Sequence, residues 1–110
     1  MNTDLYKFAS ACTLKGEYEE IGDSKNGNKQ YKTINSIYLL LKKENRLDEL
    51  LELLDHENPY VRSWAAGYIL QISPLRAEKT LEELANIKSR PVGFNAEMTL
   101  REWKKGNLKF

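Results

Sequence analysis

His56 is the only histidine in the chain, and it stands between Asp55 and Glu57. A histidine beside carboxylates could move a proton near neutral pH. The same trio is also what a solvated turn looks like, and a site built on several histidines is impossible here. Cys12, the only cysteine, falls on an apolar helical stripe with no base placed to activate it, so it reads as a small buried hydrophobe. Glu17, Glu19, Glu20 and Asp23 cluster, but they lack the glycine-punctuated alternation of a calcium loop and read as a solvated acidic helix end. "GDSKNGNK" (22–29) has two glycines, yet neither a phosphate-loop pattern nor a preceding strand. On this inventory we assign no catalytic residue, metal ligand or cofactor.

The elements that would position such groups are bounded by the totals. The chain of 110 residues is read as one domain, 1–110. Its 17 basic and 16 acidic side chains leave a net charge of +1, which disfavours a dedicated nucleic-acid binder. One cysteine allows no intrachain disulfide and fits a reducing compartment. The N-terminal stretch "MNTDLYKFASACTLKGEYEE" is not a signal peptide, and no run approaches the ~18 apolar residues of a membrane span. The expectation is a cytoplasmic protein.

Six helices are expected. Leu5, Phe8, Ala9 and Cys12 share the face of a first, capped by Thr3 or Asp4 and reaching about residue 21. Residues 22–30 read as the clearest loop in the chain. The second helix covers 29–45, with Ile34, Ile37, Tyr38 and Leu41 on a face that Leu39 and Leu40 widen. Leu47, Leu50, Leu51 and Leu54 define a third over 46–55. Asn58 before Pro59 starts the fourth, on which Val61, Ala65, Ile69 and Ile72 form the stripe. Ser73 and Pro74 start the fifth, which presents Ala77, Leu81, Leu84 and Ala85. Val92, Ala96, Leu100 and Trp103 mark the sixth, closed by Gly106. The expected fold class is all-α.

A shift of 31 residues lays Leu50 on Leu81, Leu53 on Leu84, Val61 on Val92, Ala65 on Ala96 and Ile69 on Leu100, while a shift of 30 gives a competing register. The repeating unit is a helical hairpin, placed at about 4–45, 46–73 and 74–106. "LLELLDHENPYVRSWAAGYIL" (50–70), with Asp55, Asn58, Pro59, Val61, Arg62, Ala65, Ala66 and Leu70, resembles a HEAT-type repeat. The last hairpin departs from that pattern, with Gly93 where the family has arginine. The resemblance implies a short α-solenoid of three hairpins whose second helices line a concave surface. Arg62 is expected to reach back to Asp55.

That resemblance also carries the functional expectation. Small stand-alone bacterial HEAT-like proteins include immunity proteins that bind and neutralise a cognate toxin, so the leading reading is a non-catalytic protein-binding module of that kind. The residues expected on its binding face are Tyr60, Ser63, Trp64, Gly67 and Gln71, with Arg101 and Lys105 from the basic stretch 101–109. A half-exposed tryptophan such as Trp64 is a common interface anchor. The alternative is a HEAT-like protein gripping nucleic acid with a basic face. A third reading, an enzyme subunit handling bilin chromophores, rests on the shared repeat alone.

Overall fold

The computed structural model describes residues 2–110. Among the described residues every regular element is a helix, so the fold is all-α. α1 spans Thr3–Glu20, α2 Ser24–Lys43, α3 Pro59–Ile69, α4 Pro74–Ala85 and α5 Pro91–Lys104. A 3₁₀ helix, Leu47–Asp55, stands between α2 and α3.

The α1 stripe is as expected: Leu5, Phe8, Ala9 and Cys12 are all buried. Its cap is Asn2 rather than Thr3 or Asp4, and the Asn2 side chain accepts the Leu5 N–H at 2.9 Å. The loop expected over 22–30 is largely absent, because α2 begins at Ser24 and only 21–23 turn the chain. Asp23 caps α2 by accepting the Asn26 N–H at 3.1 Å. Gly27 is not a loop glycine. It is buried in the first turns of α2, where an added Cβ would make an ordinary contact, 3.7 Å from the Tyr18 Cβ of α1.

The third element winds more tightly than expected. In a 3₁₀ helix, residues three apart eclipse one another. Leu47, Leu50 and Leu53 form one such line and Leu51 and Leu54 the next, with Leu50, Leu53 and Leu54 buried. Over nine residues this leucine spacing satisfies a period of 3.0 as well as 3.6, which is why the sequence did not separate them.

α3 starts as expected, the Asn58 side chain accepting the N–H groups of Tyr60 (2.8 Å) and Val61 (3.4 Å) with Pro59 at the first position. Arg62 does not pair with Asp55. Its Nη1 donates to the carbonyls of His56 (2.6 Å) and Glu57 (3.0 Å), closing the preceding turn directly. Ser73 precedes Pro74 of α4 but makes no side-chain cap. α1, α2 and α5 all stop the same way, with Gly22, Asn45 and Gly106 at positive φ and the following N–H bonded five residues back.

α1 packs most extensively on α2, the 3₁₀ helix on α3, and α4 on α5, while α3 also touches α1, α4 and α5. One core runs through all of them, from Leu5 and Phe8 through Leu50, Val61 and Ile69 to Leu81, Val92 and Leu100. Ala65 and Ala66 are completely buried, as a close helix crossing requires. Leu39, Leu40 and Ile72, expected to join the core, are exposed instead. No helix among the described residues is long and apolar enough to cross a membrane.

Candidate functional site

α2, α3 and α5 bound a groove of about 620 Å³, which α1 and the residues after α5 complete. α2 contributes Tyr31, Asn35 and Tyr38, at i, i+4 and i+7 on one helical face. α3 contributes Tyr60, Ser63, Trp64, Gly67 and Tyr68, and α5 contributes Phe94, Asn95, Met98 and Thr99. Lys15 and Glu19 of α1 enter from one side. The turn at Gly106 brings Leu108, Lys109 and Phe110 to the other.

The walls are chiefly aromatic and ordered by ring contacts. Tyr38 and Tyr68 stack with centroids 3.9 Å apart and planes within 10°. Phe8 of the core meets the edge of Tyr68 at 6.2 Å, which fixes the stack from below. Trp64 leans on Tyr31 (5.8 Å) and on Tyr68 (6.1 Å). Tyr31 is 42% exposed, Phe94 65% and Phe110 41%, so the rim is apolar and open. Burial pushes the Tyr68 phenol well above its ordinary range, and it stays neutral at physiological pH.

The seven residues expected on the binding face divide. Ser63, Trp64 and Gly67 line the groove as expected. Gly67 leaves it open, since an added Cβ would meet only the Thr99 methyl, at 4.0 Å. Tyr60 lies at the groove but is not a polar surface residue. It is 3% exposed, and its ring lies where a Cβ on Gly16 would come within 2.3 Å. The Tyr60 hydroxyl donates to Glu20 at 2.9 Å, and burial, reinforced by that carboxylate, holds its phenol protonated. Gln71 sits behind the groove, its amide donating to the Tyr38 hydroxyl (3.1 Å) and the Tyr68 carbonyl (2.9 Å), so it orients the stacked pair. Arg101 and Lys105 are outside it: Arg101 pairs with Glu97 on the exposed face of α5 at 3.3 Å, and Lys105 caps the end of that helix. Helix α5 advances about 100° per residue, and the groove takes positions 94, 95, 98 and 99 rather than 101 and 105.

Trp103, expected in the core, is half-buried, with its indole N–H donating to Glu78 at 3.1 Å and its ring edge-on to Phe110. The acidic group at the end of α1 is not merely solvated. Glu19 accepts from Lys15 (3.0 Å) and from the Asn95 amide (2.9 Å), and Glu20 accepts from Arg90 (2.7 Å), so both acids tie α1 to the start of α5. Among the described residues no group of three or more His, Cys, Asp or Glu is placed to hold a metal ion. Cys12 is buried, and burial raises its thiol well above the usual range. His56 lines a separate hollow with Tyr6, Ser10 and Thr13, and its Nδ1 accepts the Asn58 N–H at 3.0 Å.

Sequence reasoning missed Tyr31, Tyr38, Phe94, Met98 and Lys15 as groove residues. A signal was present for some: Phe94 and Met98 lie four apart on the side of α5 away from the Val92–Ala96–Leu100 stripe. The approach of the last residues had none, because it depends on where α5 ends.

With this geometry in place, the chain can be compared with known proteins. It belongs to the family described as Domain of unknown function (DUF2019), whose model matches residues 7–104. Its fold is similar to that of the crystal structure of the protein RPA1889 from Rhodopseudomonas palustris CGA009, with a TM-score of 0.88 and 24% sequence identity over 97% of this chain and 90% of that one. No curated protein matches the chain.

Proposed function

We propose that this protein is a non-catalytic protein-binding module that receives a segment of a partner protein in the aromatic groove. The observation that carries the reading is the groove itself: half-exposed rings from α2, α3, α5 and the last residues converge on one concavity. Aromatic rings offer large contact area at small entropic cost, and such rings around a central tryptophan are the composition of an interface hot spot. Asn35, Ser63, Asn95 and Thr99 stand between them, where they can meet the backbone groups of a bound segment.

The reading includes a short HEAT-like α-solenoid of three hairpins, α1–α2, the 3₁₀ helix with α3, and α4–α5. Two observations support it. The second helix of each pair lines the groove, and residues separated by 31 (Leu50 and Leu81, Val61 and Val92, Ala65 and Ala96) are buried in both later pairs. The resemblance of residues 50–70 to the repeat of small bacterial immunity proteins extends the proposal to a toxin domain as the partner, with this protein its immunity factor.

The test is a photo-reactive side chain at position 98, on the groove wall, expressed in the native host. One partner, cross-linked stoichiometrically and lost when Trp64→Ala is added, is the expected result. If the captured protein inhibits growth by itself and this chain relieves the inhibition, the immunity role follows. Cross-linking spread over many proteins, or unaffected by Trp64→Ala, overturns the reading.

A further inference from the structure

Residues 107–110 follow α5 without regular structure, yet Leu108, Lys109 and Phe110 line the groove. Gly106, at φ 76°, turns the backbone back toward it. The turn itself is firmly tied. The Asn107 N–H donates to the Glu102 carbonyl at 2.9 Å, and the Asn107 side-chain amide donates to the Glu102 carboxylate at 2.8 Å. Beyond Asn107 the anchoring changes kind. Among the described residues, no hydrogen bond or ion pair joins Leu108, Lys109 or Phe110 to the rest of the protein. Leu108 packs partly buried against the core, and the Phe110 ring rests edge-on to Trp103 at 6.4 Å with much of its surface exposed. Partial burial of two apolar side chains and the ordering of three residues are opposing effects of similar size, so the seated and released states of this segment lie close in free energy. Gly106 is the pivot between them, and it stands in open space, since an added Cβ would meet nothing within 4 Å.

We propose that residues 107–110 are an autoinhibitory strap, hinged at Gly106, that competes with the partner segment for the groove. The proposal rests on the groove being a binding site and adds the regulation of that site. Leu108 and Phe110 cover apolar surface at one end of the groove that a bound segment would otherwise bury, and two occupants cannot fill one space. Because the strap is tethered, its effective concentration at the groove is about millimolar. It lowers the apparent affinity of any competing ligand in proportion to the fraction of molecules whose groove is open. A partner therefore engages in two parts: it displaces a strap held by apolar contact alone, and it takes the surface the strap leaves.

The probe is the strap's own sequence as a capped peptide, acetyl-Gly-Asn-Leu-Lys-Phe-amide, titrated into isotopically labelled whole protein and read by backbone amide shifts. In the double variant Leu108→Ser/Phe110→Ser the strap is released, its amides turn mobile by heteronuclear NOE, and the peptide is expected to shift groove amides of α3 and α5. The parent is expected to bind the same peptide about fivefold or more weakly, because its own strap holds the place. Phe110→Ser alone, which keeps Leu108 on the core, serves as a second variant and should fall between the two. Unchanged amide positions in α4 and the first turns of α5 show that both variants are folded. A peptide with serine in place of its leucine and phenylalanine is expected to leave the groove unshifted. Equal affinity of the parent and the double variant for the strap peptide, binding to neither, or amides of 108–110 that are already mobile in the parent overturns the strap. Those outcomes leave the groove reading in place, since it stands or falls separately on the cross-link from position 98.

Discussion

Two helix starts in this protein solve one problem by opposite means. α3 begins at Pro59 and α5 at Pro91, each with proline at its first position and a turn of the preceding element beneath it. At the first, Asn58 caps the free N–H groups and the Arg62 guanidinium spans the gap to the carbonyls of His56 and Glu57. At the second, Arg90 makes no side-chain cap, and Gly93, equivalent to Arg62 at an offset of 31, lies against the carbonyl of Ile87, equivalent to His56. One joint is bridged by a long side chain and the other is closed by having none. The two starts also differ by a single residue of register. Val61 is the third residue of α3 but Val92 is the second of α5, so the prolines are offset by 32 while the buried stripe keeps 31. α5 thus brings the Gly93 backbone against the Ile87 carbonyl, where α3 reaches its turn through the Arg62 side chain.

The strongest way to break the comparison is Gly93→Ala. A Cβ at that position would fall 1.8 Å from the Ile87 carbonyl oxygen, a backbone atom that cannot rotate away. The start of α5 must lift off, and the expected loss is about 3 kcal/mol, read as a lower urea midpoint. At the equivalent position of the other joint, Arg62→Ala introduces no clash and removes two hydrogen bonds from a charged donor to a half-exposed turn. We expect about 1.5 kcal/mol. Equal losses from the two alanines would show that the joints are not built differently.

Asn58→Ala sharpens the same contrast at the cap. It leaves the N–H groups of Tyr60 and Val61 without their acceptor and should cost about 1 kcal/mol. Arg90 occupies the same place before its proline but does another job: it donates to Glu20, and its guanidinium lies 5.8 Å from the Tyr60 ring centroid. Its replacement should leave α5 intact by circular dichroism while loosening the contact between α1 and the α4–α5 joint.

These joints also show how far the sequence could be read. The buried stripes were legible, because Leu5, Phe8 and Cys12, or Val92, Ala96 and Leu100, declare a helical face by spacing alone. So was Asn58–Pro59, a local signal read from two adjacent residues. Gly93 was visible as a departure from the repeat but not as a contact, since its reason is the carbonyl of Ile87 in three dimensions. The start of α2 was hidden for another reason: the glycines and asparagines of 22–30 have the composition of a loop, and the Asp23 cap with the packing of α2 on α1 overrides that local preference. The groove was half legible. Ser63, Trp64 and Gly67 follow from the face that α3 leaves free, whereas Lys15, Phe94 and Phe110 reach the same space from elements whose relative placement no local pattern encodes.

The smallest expected effect is a dependence on pH, and it tests whether Arg90 acts through Glu20. The Arg90 side chain, and next the Tyr60 hydroxyl, hydrogen-bond to Glu20 and hold its carboxyl below the usual value. A carboxyl lowered on folding contributes stability that is fully present above its unfolded value and is lost as pH falls through the folded one. Both side chains are substantially solvent-exposed, so screening keeps the contribution small. Arg90→Gln removes the leading cause, leaving the Tyr60 hydroxyl to hold the carboxyl partly down. Stability should therefore fall less steeply on acidification below about pH 5 in the variant than in the parent. Above that pH the two curves should run parallel. Asn58→Ala should lower stability with no change in the shape of its pH profile, because the side chain it removes does not titrate. Parallel acid limbs for the parent and Arg90→Gln would mean that Arg90 contributes nothing to stability through the Glu20 carboxyl, and the contrast with the capping Asn58 would then lose its electrostatic half.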